Sequence, residues 1–270
     1  MKALKHTSTP YLVWMAIFMI VPLGLIVYFA FTDSSGAFTL DNLSSVGRYS
    51  PVILKSLWLA FIATVICLII AYPLALILSN MKFRKQKMML MLVMLPMWMN
   101  YLLRTYAWMT LLEDTGIINS LLEMMGFSPI QMIYTQGAVV LGMVYNYLPF
   151  MILPLYSIMV KLDRSVIHAA QDLGANTFNV FTKILIPLTM PGIMTGITMV
   201  FVPSVSTFII SKMLGGGDNI LIGDLIELQF AGSAYNPNLG SGISLVLMII
   251  ILLCMSLMNQ FDGEDKEGII

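Results

Sequence analysis

An all-α integral membrane protein with six transmembrane helices is the fold class this sequence predicts, on three observations. Of its 270 residues, 59% are hydrophobic and 10% charged. A soluble domain carries about 25% charged residues, so this chain lacks the polar surface to coat a water-exposed globule. Its apolar residues gather into six runs, each near the roughly 20 residues a helix needs to cross hydrocarbon. The charges fall between those runs, Arg104 excepted.

The first run, Tyr11–Phe31, lies in an uncharged stretch from Thr7 to Thr32 behind Lys2 and Lys5. A cleaved signal has an apolar region of roughly 7–15 residues and small residues at its cleavage site. This run is longer and ends in the bulky Tyr28-Phe29-Ala30-Phe31, so it reads as a retained span. Ser56–Met81 is charge-free between Lys55 and Lys82, and Met88–Leu112 is interrupted only by Arg104. Gly137–Val160, Ile184–Ile210 and Ile243–Met258 complete the six, the last short enough to extend back through Ser241. No internal repeat or low-complexity segment divides the chain, so residues 1–270 form one membrane domain.

Lysine and arginine set orientation, because loops rich in them stay in the cytoplasm. With both termini inside, the inner segments hold Lys2, Lys5, Lys82, Arg84, Lys85, Lys87, Lys161, Arg164, Lys183 and Lys266. The outer loops hold only Arg48, Lys55 and Lys212. The outer loops also carry Asp33, Asp41, Glu113, Asp114, Glu123, Asp218, Asp224 and Glu227. Those acids are either ordinary solvated loop residues or a vestibule that concentrates a cationic substrate.

Net charge is zero, which argues against nucleic acid, whose phosphates need a basic excess. Cys67 and Cys254 sit in apolar stretches and read as buried fillers. Pro73, Pro96, Pro149, Pro154, Pro187, Pro191 and Pro203 fall inside the spans. Proline removes a backbone donor and bends a helix, which membrane helices tolerate where neighbours or a cavity take up the freed carbonyl.

The inner segment 161–183, KLDRSVIHAAQDLGANTFNVFTK, is polar yet patterned. Ser165 can cap a helix whose Val166, Ala169, Ala170 and Leu173 form one apolar stripe. Gly174 follows the last periodic residue, where a left-handed turn commonly ends a helix. Asn176 or Thr177 can cap a second helix, with Phe178 and Phe181 on one face, that runs through Ile184 and Pro187 into the membrane. Such a helix–glycine–helix either lies on the membrane surface or docks a cytoplasmic partner. The narrow, alanine-rich stripe favours close packing against protein.

Here Ala169-Ala170, Gly174 and Ile184-x-Ile186-Pro187 resemble the cytoplasmic EAA loop of permeases in binding-protein-dependent ABC importers. LPLYSIMVKLDRSVIHAAQDLGA, LIPLTMPGI, LPMWMNYLLRTYAW and LGGGDNILIGDLI extend the likeness to PotB-type permeases of spermidine/putrescine importers, from about residue 10 to 258. The resemblance implies a type I ABC importer permease fold in a bacterial inner membrane, passing polyamine inward by alternating access. It implies a heterodimer with a homologous second permease, two copies of an ATPase, and an extracellular or periplasmic polyamine-binding protein. It also implies that His168, Ala169, Ala170, Asp172, Gly174, Ala175, Phe178 and Phe181 form the coupling helix and its continuation against the ATPase. Glutamate is usual in the family where this chain has His168. Related permeases carry iron, sulfate or phosphonates.

The chain has no GxxxxGK[ST] to cradle phosphates, and Gly215-Gly216-Gly217 precedes Asp218 rather than lysine, so it reads as a turn. His6 and His168 are its only histidines, so nothing matches a zinc or Ser-His enzyme. The chain is expected to be non-catalytic and to hold no cofactor or metal, with ATP bound by its partner. Met88, Met91, Met94 and Met97 are spaced like soft copper ligands, but among 24 methionines they read as adaptable packing. A stand-alone secondary transporter would place charges in mid-span for ion coupling, and spans one, two, four, five and six have none.

A polyamine needs aromatic or apolar walls for its methylenes and carboxylates for its amines. Trp98, Tyr101, Trp108, Tyr145 and Tyr147 can offer cation–π faces or can belong to interfacial belts. Trp98 is the foremost pathway candidate, because Pro96 beside it is expected to open the helix, with Tyr101 next. Asp218, Asp224 and Glu227 follow the glycine turn, and the last two, three apart, can bracket two amines. Arg104 would repel a polycation, so it is expected to snorkel to the outer headgroups in a structural role.

Overall fold

The computed structural model describes residues 9–263; Lys2, Lys5 and Lys266, which bear on orientation, and His6 lie outside them. Among the described residues the regular structure is helical, apart from a lone Thr32–Phe38 bridge. Helix α1 covers Pro10–Ala30 through a π turn at Ala16–Ile20. Then come α2 (Asp41–Val46), α3 (Ser50–Ser79), α4 (Phe83–Trp98), α5 (Tyr101–Leu112), α6 (Ile117–Met124) and α7 (Gln136–Met159). The chain continues with α8 (Arg164–Asp172), α9 (Thr177–Val205, with a π turn at Phe181–Leu185), α10 (Ile222–Phe230) and α11 (Pro237–Gly263).

Helices α3, α7 and α9 pack on one another as the core. Buried Leu59, Ala63, Cys67, Ala71 and Ala75 recur every fourth residue of α3, a stripe of small side chains against Val139, Met143, Met151 and Leu155 of α7. In lipid there is little hydrophobic drive between helices, and small residues let backbones approach closely enough for dispersion to hold them. Helix α1 lies outside this core against α11, with Ala30 its only buried residue. Asn42 and Asn238 tie its end by donating to the Thr32 carbonyl at 2.9 and 2.7 Å.

Among the described residues five helices are long and apolar enough to cross a membrane, and a bent pair makes a sixth when taken as one span. That pair replaces the single span expected over Met88–Leu112, opened at Pro96: Phe83–Trp98 and Tyr101–Met124 meet at 89°. Pro96 has no N–H to continue the ladder. Met99 and Asn100 then turn extended, with ψ of 149° and 132°. The Asn100 side chain accepts the Leu102 N–H at 2.8 Å and starts α5 afresh. Helix α9 likewise stops short of the expected Ile210, at Val205; a π turn at Ser211–Gly215 follows the gap.

The long α3 defines the two ends of the bundle. Ser56 accepts the Ile222 N–H at one end, and the Ser79 carbonyl accepts from Arg164 at the other. They are about 35 Å apart along the axis at 1.5 Å per residue, slightly more than a hydrocarbon core.

Candidate functional site

At the Ser79 end, α8 is built by its caps. Asp163, not Ser165, is the N-cap: its carboxylate accepts the Ser165 N–H at 2.9 Å, which with the Ser165 hydroxyl holds Asp163 below the usual carboxylate range. The reason for the shift is position, because Ser165 is already inside the first turn. At the other terminus, Gly174 N–H reaches the Gln171 carbonyl at 2.9 Å and Ala175 N–H reaches Ala170 at 3.0 Å. Gly174 has φ +85°, the left-handed conformation this closure requires. Asn176 caps α9 by accepting the Asn179 N–H at 2.8 Å.

No residue of α8 is buried. Leu173 is 90% and Phe178 71% exposed, so the apolar edge of this corner meets nothing in the chain itself. His168, Ala169, Asp172 and Gly174 are exposed along the same element, while Ala170 and Ala175 are half-buried. His168 also lines a cavity of about 200 Å³ with Ser79, Asn80, Arg164 and Gln171. Phe181 differs from its neighbours in the loop, since its ring meets Tyr72 of α3 edge-on.

The two interruptions of helix meet. Tyr101, first residue of α5, places its hydroxyl 3.5 Å from that of Tyr147 and 3.4 Å from Thr207, beside the gap after α9. Tyr147 also donates to the Pro203 carbonyl at 3.4 Å. Arg104 does not snorkel: it is 8% exposed, its guanidinium lies 5.8 Å from the Tyr101 ring centre, and Nε and Nη1 have no partner. One helical turn carries it back over Tyr101 rather than out to headgroups. Trp98 stands at the α4 terminus, 71% exposed and outside this cluster. Trp108 and Tyr145 pair with each other, edge to face at 5.4 Å.

At the Ser56 end, α10 rests on the gap after α9 so closely that a Cβ on Gly223 would fall 2.4 Å from the Thr207 carbonyl oxygen. Asp224 and Glu227 come together there, lining a cavity of about 130 Å³ with Lys212, Gly216 and Ile220. Asp224 Oδ2 accepts the Leu221 N–H at 2.8 Å, while burial pushes its carboxyl up against that bond. Glu227 takes Lys212 Nζ at 3.1 Å. Asp218 is exposed and outside the cavity; its carbonyl and the Asn219 side chain hold Lys55. Among the described residues, no group of three or more His, Cys, Asp or Glu could hold a metal.

Thr207, Asn100 and Asn219 had no place in the sequence reading. Only Asn100 carried a usable signal, an N-cap residue four positions after a mid-span proline.

Residues 7–262 match the family described as binding-protein-dependent transport system inner membrane component. The chain is 38% identical over 250 residues to the spermidine/putrescine transport system permease protein PotB of Haemophilus influenzae, covering 89% of this chain and 87% of that protein. It is 37% identical over 252 residues to PotB of Escherichia coli K12, covering 90% and 91%. Its fold superposes with TM-score 0.82 on a chain of a bacterial alginate ABC transporter crystallised with an alginate-loaded periplasmic protein, covering 97% and 94% at 15% identity.

Proposed function

The chain belongs to the binding-protein-dependent transport system inner membrane component family, and from that premise we propose that it is one permease of an ABC importer for polyamines such as spermidine and putrescine. Its likeness to PotB at 38% identity over 89% of the chain carries the substrate class. The unpartnered α8–Gly174–α9 corner supports a coupling role, because an apolar edge this exposed is stable in water only when something covers it.

In this reading residues 1–270 form one membrane domain, with the α8 end and both termini in the cytoplasm. His168, Ala169, Ala170, Asp172, Gly174, Ala175 and Phe178 dock an ATPase subunit, and Phe181 carries the motion to Tyr72. Two ATPase copies bind and hydrolyse the ATP, so this chain performs no catalytic step. A second permease closes the pathway, and a periplasmic polyamine-binding protein delivers cargo at the Ser56 end.

Substrate passes from the Asp224–Glu227 cavity, with Asp218 at its approach, toward Tyr101 at the meeting of the two helix breaks. Trp98, exposed beside that break, faces the second permease across the pathway. Helix breaks suit such a place, because irregular backbone at membrane depth persists only where protein or a water-lined cavity satisfies it. The oxygens of Tyr101, Tyr147 and Thr207 can accept ammonium donors there. Arg104 already lies over the Tyr101 ring and repels a polycation, so cargo passes these hydroxyls without being held at that ring face.

The test is ATP-dependent uptake of labelled spermidine by cells expressing the assembled importer, challenged with unlabelled putrescine, ferric iron or sulfate. Competition by putrescine alone is the expected result. Absence of spermidine uptake from an assembled complex with active ATPase would remove the polyamine and leave the permease.

A further inference from the structure

Lys212 and the Asp224–Glu227 cavity form an arrangement that transport of a polycation does not by itself require. Lys212 Nζ lies 3.1 Å from Glu227 Oε1 and 3.3 Å from Oε2, yet the lysine side chain is 61% exposed. Behind it, Asp224 is 6% exposed and its Oδ1 has no hydrogen-bond partner, although the residue lines the same cavity. The Ser211 hydroxyl, which also draws the Asp224 carboxyl down, donates to the Phe208 carbonyl at 3.0 Å. A buried carboxylate oxygen without a donor is costly and marks a place for a cation with hydrogens to give.

The chemistry of the tether matches that of the cargo. A lysine side chain is a four-carbon stem ending in a primary ammonium with three donors, and a butylamine arm is what putrescine and spermidine present. Lys212 satisfies Glu227 and leaves Asp224 Oδ1 unmet, so its ammonium fills the site only in part. A free amine arriving in the cavity of about 130 Å³ can reach both carboxylates.

Resting on the polyamine reading above, we propose that Lys212 is a tethered competitor of the transported amine, holding Glu227 until a substrate ammonium displaces it and takes Asp224 and Glu227 together. The exchange conserves charge at the site. It keeps Glu227 paired between cargoes, and it admits only cations that outbid an exposed lysine.

The experiment uses the purified complex of both permeases and the ATPase subunits, without the binding protein, titrated with labelled spermidine. Lys212→Met should bind about two- to five-fold more tightly than wild type, the factor expected when an exposed ion pair no longer has to be broken. Glu227→Gln should bind more weakly. Equal affinity in wild type and Lys212→Met, or weakening in both variants alike, would assign Lys212 a purely structural clip and overturn the proposal.

A second variant separates the roles: Lys212→Arg keeps a cation on Glu227 and should bind spermidine no more tightly than wild type. Tightening equal to that of Lys212→Met would also overturn the proposal. Failure of the polyamine reading looks different, as a wild-type complex with binding-protein-stimulated ATPase that neither binds nor takes up spermidine; the proposal then falls with it.

Discussion

The Tyr72 ring stands edge-on to Phe181, centroids 5.4 Å apart and planes at 80°, while its hydroxyl lies 3.0 Å from that of Thr189. One buried side chain of α3 therefore grips α9 on both sides of the π turn Phe181–Leu185. The exposed corner at Gly174 is joined to the helix core at this point. In the proposed coupling, a push on α8 would reach α3 through this ring contact, since packed side chains transmit displacement.

Removing that contact should uncouple the two ends. Tyr72→Ala deletes an aromatic pair worth about 0.5–1.5 kcal/mol beyond its burial and leaves a void beside Phe181. The expected outcome is retained ATP hydrolysis with more ATP spent for each spermidine imported. Tyr72→Phe keeps the ring, and Thr189 still donates to the Leu185 carbonyl at 2.7 Å, so it should cost about 1 kcal/mol or less and stay coupled. Equal coupling ratios in wild type and Tyr72→Ala would refute the linkage.

Gly174→Val should abolish stimulation of the ATPase by loaded binding protein. Nothing lies within 4 Å of a Cβ built there, so the penalty comes from the backbone at φ +85° and not from a clash. A side chain in the left-handed region costs about 1–2 kcal/mol, and a β-branched one is among the worst suited to it. Gly174→Asn, which tolerates that region, should retain most of the stimulation; an unaffected Gly174→Val would remove the corner from the coupling mechanism.

The Asp163 cap should be insensitive to pH over the physiological range. Its folded pKa is depressed by the Ser165 N–H and hydroxyl, so its contribution is complete above the ordinary carboxylate value of about 3.9 and fades as pH falls through the lower folded value. A spin label at Gln171 should show constant mobility from about pH 7 to pH 5 and loosen only below about pH 4. Asp163→Ala should be loose throughout, and Asp163→Asn, which still accepts, should be tight throughout. Loosening of the wild type between pH 5 and 7 would contradict the cap.

What was legible in the sequence follows the range of the forces involved. The spans are long apolar runs, and the α8–Gly174–α9 corner is written in caps and a glycine within a dozen residues, so both could be read locally. The cap slipped from Ser165 to Asp163 because both side chains suit the position, and only the first hydrogen bond decides between them. Pro96 marked an opening beside Trp98, but the full 89° turn at Trp98–Asn100 was not readable, because a membrane proline need not end a helix; Pro73, Pro149 and Pro154 do not. The inward turn of Arg104 and the Lys212–Glu227 pair depend on how α5, α9 and α10 lie across one another, which no periodicity encodes.

Asn100→Ala tests whether the sharp break is held by its cap. The Asn100 carboxamide accepts from Leu102 at 2.8 Å and Leu103 at 3.4 Å. Its loss should cost about 1 kcal/mol, seen as a lower Tm of the detergent-solubilised complex. Asn100→Asp should be close to wild type. An unchanged Tm in Asn100→Ala would mean that Pro96 and tertiary packing alone set the 89° bend.

Gly223→Ala is the sharpest probe of the site at the Ser56 end. An added methyl would sit 2.4 Å from the Thr207 carbonyl oxygen and 2.6 Å from that of Ser206, both backbone atoms that cannot swing aside. Helix α10 must then lift off the gap after α9, carrying Asp224 away from Ser211 and drawing Thr207 away from Tyr101, 3.4 Å distant. Overpacking of this kind typically costs 1–3 kcal/mol, small enough for the complex to assemble. Spermidine uptake should therefore fall well below wild type while the α8 end, some 35 Å away along α3, keeps its basal ATP hydrolysis. Normal uptake by Gly223→Ala would show that the close seat of α10 on the α9 break is dispensable, and with it the placement of the Asp224–Glu227 cavity beside the pathway.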